Sequence, residues 1–139
     1  MYHKDFDQWN TLKKVIEVAA AEDKLYFHER EIWWASLGLN LGHEQDGKNI
    51  NYERPVIVIK KFNSEVLWII PLTSRDNKKE NKYYFRLTER FDESTDSVAI
   101  LSQIRLISSK RLLRKVGYVS KDDFACIVNS IKNFFPILD

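Results

Sequence analysis

The chain holds one cysteine, one methionine, three prolines and four glycines in 139 residues. A lone Cys126 excludes an internal disulfide and suits a reducing compartment. With so few glycines, none of them in a motif, there is no Gly-rich cradle for a phosphate. His3, His28 and His43 show no metal-ligand spacing, and neither H-x-x-x-H nor C-x-x-C occurs. Neither a metal nor a cofactor is therefore expected. No apolar run is long enough to span a bilayer, and MYHKDFDQWN carries acidic residues where a secretory signal needs an apolar core. A cytoplasmic protein away from membranes is expected.

What is present is a folded composition, 44% hydrophobic and 13% aromatic with four tryptophans, sized for a single domain over 1–139. The net charge of +2 is small but unevenly spread. Through Glu31 there are seven acidic residues against five basic, whereas Gln103 to Lys121 holds six basic and no acidic ones. Two readings stand: solvated charge around an ordinary domain, which charge alone favours, or a positive face for a polyanion.

Residues 5–22 have Phe6, Trp9, Leu12, Ile16 and Ala19 or Ala20 at spacings of three and four, which predicts a helix started by Asp5 or Asp7. REIWWASL at 30–37 reads as a strand, and a long polar loop follows to residue 53. PVIVI, within 54–61, is too apolar for a half-exposed strand; with 66–73 it should form a hairpin buried on both faces. After a polar loop at 75–82, strands are expected at 83–87 and 97–107, the second bending or breaking near Ser102. KRLL at 110–113 reads as a helical turn, and KVGYVS carries the chain onward. Ser120 caps a last helix whose face is Phe124, Ile127, Val128, Ile131, Phe134 and Phe135, ended by Pro136. Cys126, beside Ile127, reads as an inert core residue. Five or so strands with a helix at each end make a small curled sheet or barrel, α+β.

The chemistry left is acid–base and electrostatic. Arg54 stands at the mouth of the first buried strand and Thr73 at the end of the second. An antiparallel hairpin brings those two ends together. A guanidinium fork and a hydroxyl can serve one phosphate, and RNA transesterification needs little beyond orientation, proton transfer and charge stabilisation. His43 or Glu44, on the loop GHEQDGKNINYERP, offers a base. Each has a plainer reading: an exposed histidine, and a carboxylate that orders loop amides.

EIWWASLGLNLGHEQDGKNINYERPVIVI, then PLTS, then AILSQIRLISSKRL and VGYVS before a last helix, resemble the MazF/PemK/Kid toxins of type II toxin–antitoxin systems over about residues 30–134. The resemblance implies a small SH3-like, CcdB/Kid-like β-barrel with a C-terminal helix over 30–139, here with an extra N-terminal helix over 5–22. It implies a homodimeric, metal-independent endoribonuclease that cuts single-stranded mRNA at selected sequences, leaving 2′,3′-cyclic phosphate and 5′-hydroxyl ends. A cognate antitoxin would restrain it, and operator DNA would be met only through that complex. Carried over by position, Arg54 and Thr73 are the catalytic pair. Glu44 and His43 fall on loop positions used in catalysis or RNA contact, and Gln45, Ser74, Gln103 and Arg105 are RNA-binding candidates. Two departures stand out. Six residues separate Gly47 from Arg54 where the family commonly has one or two. An arginine–x–aspartate pair found in some members would fall on Ile100 and Ser102, which cannot replace it. A same-fold toxin acting on a protein such as gyrase, or a member that only binds, remain as alternatives.

Overall fold

The structure, a computed structural model, describes residues 3–19, 26–48, 52–74, 81–89 and 97–137. Its elements are α1 (Phe6–Val18), β1 (Glu31–Ser36), β2 (Glu53–Lys61), β3 (Val66–Thr73), β4 (Tyr84–Arg86), β5 (Val98–Ile100), β6 (Arg105–Ser108), β7 (Leu112–Tyr118) and α2 (Lys121–Lys132). No described helix is long and apolar enough to cross a membrane.

The apolar run of β2 is buried on both faces, as its composition requires. Val56 and Val58 face Trp33, Ala35, Leu67, Ile69 and Ile107 inside the curl. Ile57 faces the other way, into a core with Ile70, Leu72, Ala99 and Leu101 that α2 closes with Ile127. Each fully buried aliphatic side chain contributes about 1.5–3 kcal/mol, so these two layers supply most of the drive to fold.

The sheet is antiparallel, ordered β4-β5-β3-β2-β1-β7, with β6 also on β3. Among the described residues its edge strands β4 and β7 do not pair, so the sheet curls without closing into the expected barrel. Against the five or so expected strands, the described residues form seven. KVGYVS is largely strand β7, zipped to β1, and the 97–107 segment splits into β5 and β6 around a 3₁₀ turn at Leu101–Gln103. That turn lets one segment pair with both ends of β3 and leaves Gln103 at the break.

Other departures have local causes. The helical turn expected at 110–113 is a 3₁₀ turn at Ser109–Arg111, because Leu112 is drawn into the ladder with Ala35. α1 stops at Val18, with Ala19 already extended; residues 20–22 lie outside the described residues, as does most of the 75–82 loop. α2 stops at Lys132 rather than at Pro136, because the amides of Phe134 and Phe135 bond three residues back in tight turns. Phe135 is consequently exposed. Cys126 is exposed too: Ile127 occupies the buried stripe, and neighbours on a helix point about 100° apart. Of the tryptophans on the sheet, Trp33 is buried, Trp34 is half-buried beneath Arg114, and Trp68 is exposed.

Glu31, at the start of β1, is a buried carboxylate with a full set of donors. Trp33 Nε1 and the His28 amide reach Oε1 at 3.0 and 2.8 Å, and Lys115 Nζ lies 3.0 Å from Oε2. Burial alone would raise this carboxyl, but those donors outweigh it and hold it below its ordinary 4.5. The unfolded chain therefore binds the proton more readily, and this contribution is lost as pH falls from about 4.5 through the lower folded value. Glu31→Gln should cost about 1–3 kcal/mol at neutral pH. It should also flatten the acid limb of a plot of denaturation midpoint against pH.

Candidate active site

The described limbs of the polar loop after β1 are drawn together by a neck of backbone hydrogen bonds. The amides of Leu37 and Gly38 both donate to Tyr52 O (3.0 and 3.2 Å), Gly47 N donates to Gly38 O (2.8 Å), and Lys48 and Glu53 exchange two bonds of 2.8 Å. Tyr52 and Gly38 reach this neck with φ of 51° and 72°. Gly47 must be glycine, because a Cβ there would lie 1.5 Å from Tyr52 O. Inside the loop, Asn40 donates from its side chain to Leu37 O and Gln45 O (3.2 and 3.0 Å), and from its amide to Asp46 Oδ1 (2.6 Å). Glu44 Oε1 accepts from Leu41 N at 2.9 Å. That is the loop-ordering role open to this carboxylate.

Arg54 sits beneath the loop at the start of β2, only 6% exposed. Its Nε donates to Asp46 O at 2.7 Å and its Nη1 to Leu72 O at 3.1 Å. With the Gln45 amide oxygen turned toward the guanidinium, that oxygen accepts from Nε at 3.1 Å and Nη2 at 2.7 Å. These three acceptors are neutral, and together they fix the plane of the guanidinium. The β2–β3 ladder ends at Val56 opposite Pro71, with Arg54 two residues before the one and Thr73 two residues after the other. Gln103, at the β5–β6 break, straps the loop from the other side: Nε2 donates to His43 O (3.2 Å) and Oε1 accepts from Gln45 N (2.6 Å).

A cleft of about 860 Å³ opens here, with His43, Glu44, Gln45, Arg54 and Gln103 on its walls. Five of the residues singled out in the sequence thus share one cavity. Thr73 is buried, Ser74 is exposed, and Arg105 is half-buried; none of the three lines the cleft. Burial lowers the Arg105 guanidinium from its ordinary value, with the Glu44 charge pulling it back up. Arg111 is lowered by burial and then by Arg105. Asp46, Tyr84 and Lys4 belong to the site region but were not among the sequence candidates. Asp46 precedes a glycine in a polar loop, a turn signal that could have marked it. Nothing local marks Lys4.

Residues 28–135 match the family described as PemK-like, MazF-like toxin of type II toxin–antitoxin systems. The fold is similar to MazF from Deinococcus radiodurans: TM-score 0.63, 18% identity, covering 79% of this chain and 96% of that one. It is also similar to an endoribonuclease in complex with its cognate antitoxin from mycobacterial species: TM-score 0.58, 9% identity, covering 81% and 100%. A third similar fold is the Mycobacterium tuberculosis toxin MazF-mt6: TM-score 0.57, 17% identity, covering 75% and 94%. At these identities the solved structures show a shared fold.

The strap and the neck make separate predictions. Gln103→Ala removes two bonds to the loop and should cost about 0.5–1.5 kcal/mol, while amide exchange accelerates across 41–47. Gly47→Ala forces the neck apart and should cost about 1–3 kcal/mol. Thermal unfolding and hydrogen-exchange mass spectrometry read both.

Proposed function

The chain belongs to the PemK-like, MazF-like toxins of type II toxin–antitoxin systems, and we propose that it is a metal-independent, sequence-selective endoribonuclease acting on single-stranded mRNA. The observation that carries this reading is the Arg54 guanidinium, oriented by three neutral acceptors on the wall of a cleft whose exposed loop bears His43. In so desolvated a position its charge acts strongly on a phosphate, and its geometry is set before substrate arrives.

The 2′-hydroxyl oxygen attacks the adjacent phosphorus and the P–O5′ bond breaks, leaving a 2′,3′-cyclic phosphate and a 5′-hydroxyl. His43 takes the 2′ proton, and the imidazolium so formed returns it to the departing 5′ oxygen. Arg54 stabilises the charge that gathers on the phosphoryl oxygens, and Thr73, at the end of the adjoining strand, is assigned as a second donor to them. Glu44, committed to the Leu41 amide, holds the loop. Gln45 and Gln103 shape the groove, while Ser74 and Arg105 contact neighbouring nucleotides and phosphates.

A cognate antitoxin is the proposed protein partner, supported by the antitoxin-bound endoribonuclease of similar fold. Operator DNA is met only through that complex. The proposed homodimer is supported by an exposed apolar patch: Trp68 pairs with Leu106 across β3 and β6 and meets Phe62 edge-on at 4.9 Å. The curled sheet is read as the open form of an SH3-like barrel.

Digestion of a mixed RNA pool in EDTA, with mapped ends, tests the reading. Site-selective cuts with cyclic phosphate ends are expected. Their rate should fall about 10²–10³-fold in Arg54→Ala and roughly 10- to 100-fold in Thr73→Ala. His43→Ala should lose about 10²-fold or more, while Glu44→Gln stays within a few-fold. Intact RNA beside inhibited DNA supercoiling, or RNA retained without cutting, would overturn it.

A further inference from the structure

Helix α1 lies outside the region matched to the family, yet the residue leading into it reaches the loop that holds Arg54. Lys4 Nζ donates to Asn40 O at 2.5 Å and Gly42 O at 3.3 Å, and lies 3.1 Å from Asp46 Oδ2. Its side chain is 17% exposed and that of Asp46 is 12% exposed. The other Asp46 oxygen accepts from the Asn40 amide, and the Asp46 carbonyl accepts from Arg54 Nε at 2.7 Å. One residue thus passes the lysine's hold directly to the guanidinium.

Further contacts fix where Lys4 stands. Trp9, 6% exposed, packs against Leu39 and meets Tyr52 edge-on at 5.4 Å. It lies so close to Gly38 that a Cβ there would come within 2.1 Å of the indole. Asp5 caps α1 by accepting from Gln8 N at 3.0 Å, which sets the direction of the chain just after Lys4. His3, Asp5 and Gln8 line the same cleft as Arg54.

We infer that Lys4 is a positioning residue for Arg54, and that the N-terminal segment is a brace this chain adds to its own site. The ammonium gathers both limbs of the loop, at Asn40 and Gly42 on one side and Asp46 on the other. This holds the Asp46 carbonyl where the guanidinium needs it. A partly desolvated lysine–aspartate pair is well suited to the task, because losing one partner leaves the other charge uncompensated. The consequence for RNA cleavage rests on the function proposed above; the consequence for geometry does not.

The test compares Lys4→Met, Lys4→Arg and Lys4→Gln with the unchanged chain. With an RNA oligonucleotide spanning a mapped cut, Lys4→Met should lower kcat about 10- to 100-fold, the scale of a small misplacement of a catalytic group, with KM within about threefold. Lys4→Arg should restore most of kcat, and Lys4→Gln should resemble Lys4→Met. Independently of any cleavage, the Arg54 Nε–Hε resonance should shift or broaden in Lys4→Met and return in Lys4→Arg. If the unchanged chain cuts no RNA but that resonance still answers to Lys4, the function fails and the brace stands. An unmoved resonance would overturn the brace, as would a kcat unchanged by Lys4→Met in a chain that does cut. So would a loss of kcat accompanied by the Trp9 indole resonance moving to an undocked position.

Discussion

A guanidinium nearly sealed from solvent at the start of a strand must be given acceptors, because an unsatisfied buried charge costs more than a domain of this size can spare. Arg54 imposes that requirement, and much of the loop architecture answers it. Its acceptors come from two separate places, Asp46 and Gln45 on the loop and Leu72 on β3. The loop therefore has to return over β2. The neck at Gly38, Gly47 and Tyr52 provides the return, and the Gln103 strap keeps it there. Even the break between β5 and β6, which reads as an irregularity of the sheet, serves the same end by presenting Gln103 to the loop.

The same constraint explains why backbone carbonyls do so much of the holding. A carbonyl accepts along a defined direction and so fixes the plane of the guanidinium. Among the described residues, Asp46 directs its carboxylate to Lys4 and Asn40, and Glu44 directs Oε1 to Leu41. Arg105 and Arg111, both desolvated, add positive potential on the flank. The basic surplus between Gln103 and Lys121 thus lies partly beside the site, which composition alone did not favour over a merely solvated surface.

The parts legible in the sequence were those governed by short-range rules. PVIVI announced a strand covered on both faces, Ser120 announced a helix cap, and β2 and β3 form the expected hairpin. What was not legible depends on long-range partners. β7 looks like connecting chain until β1 supplies its ladder, and Cys126 looks buried until the phase of α2 is fixed by Ile127. The site divides the same way. Arg54 and Glu44 stand out by residue type, but Gln103 acquires its role only when a strand break some 60 residues away folds back on the loop. Lys4, separated from Asn40 by 36 residues, carries no signal of its own.

The two features that set this chain apart from the family pattern bear on one another. Six residues separate Gly47 from Arg54, where the resemblance leads one to expect one or two. Closing a segment lengthened about threefold costs about 1 kcal/mol of extra chain entropy. That cost falls on the geometry of the residues at its ends, and one of those ends is Arg54. A second anchor on the opposite limb of the loop offsets it, and Lys4 with the docked Trp9 is such an anchor. A helix joined to the front of the domain then does for the loop what a shorter connection does without help. The helix at the front of the domain and the loop that holds Arg54 therefore act on one guanidinium, joined through Asp46.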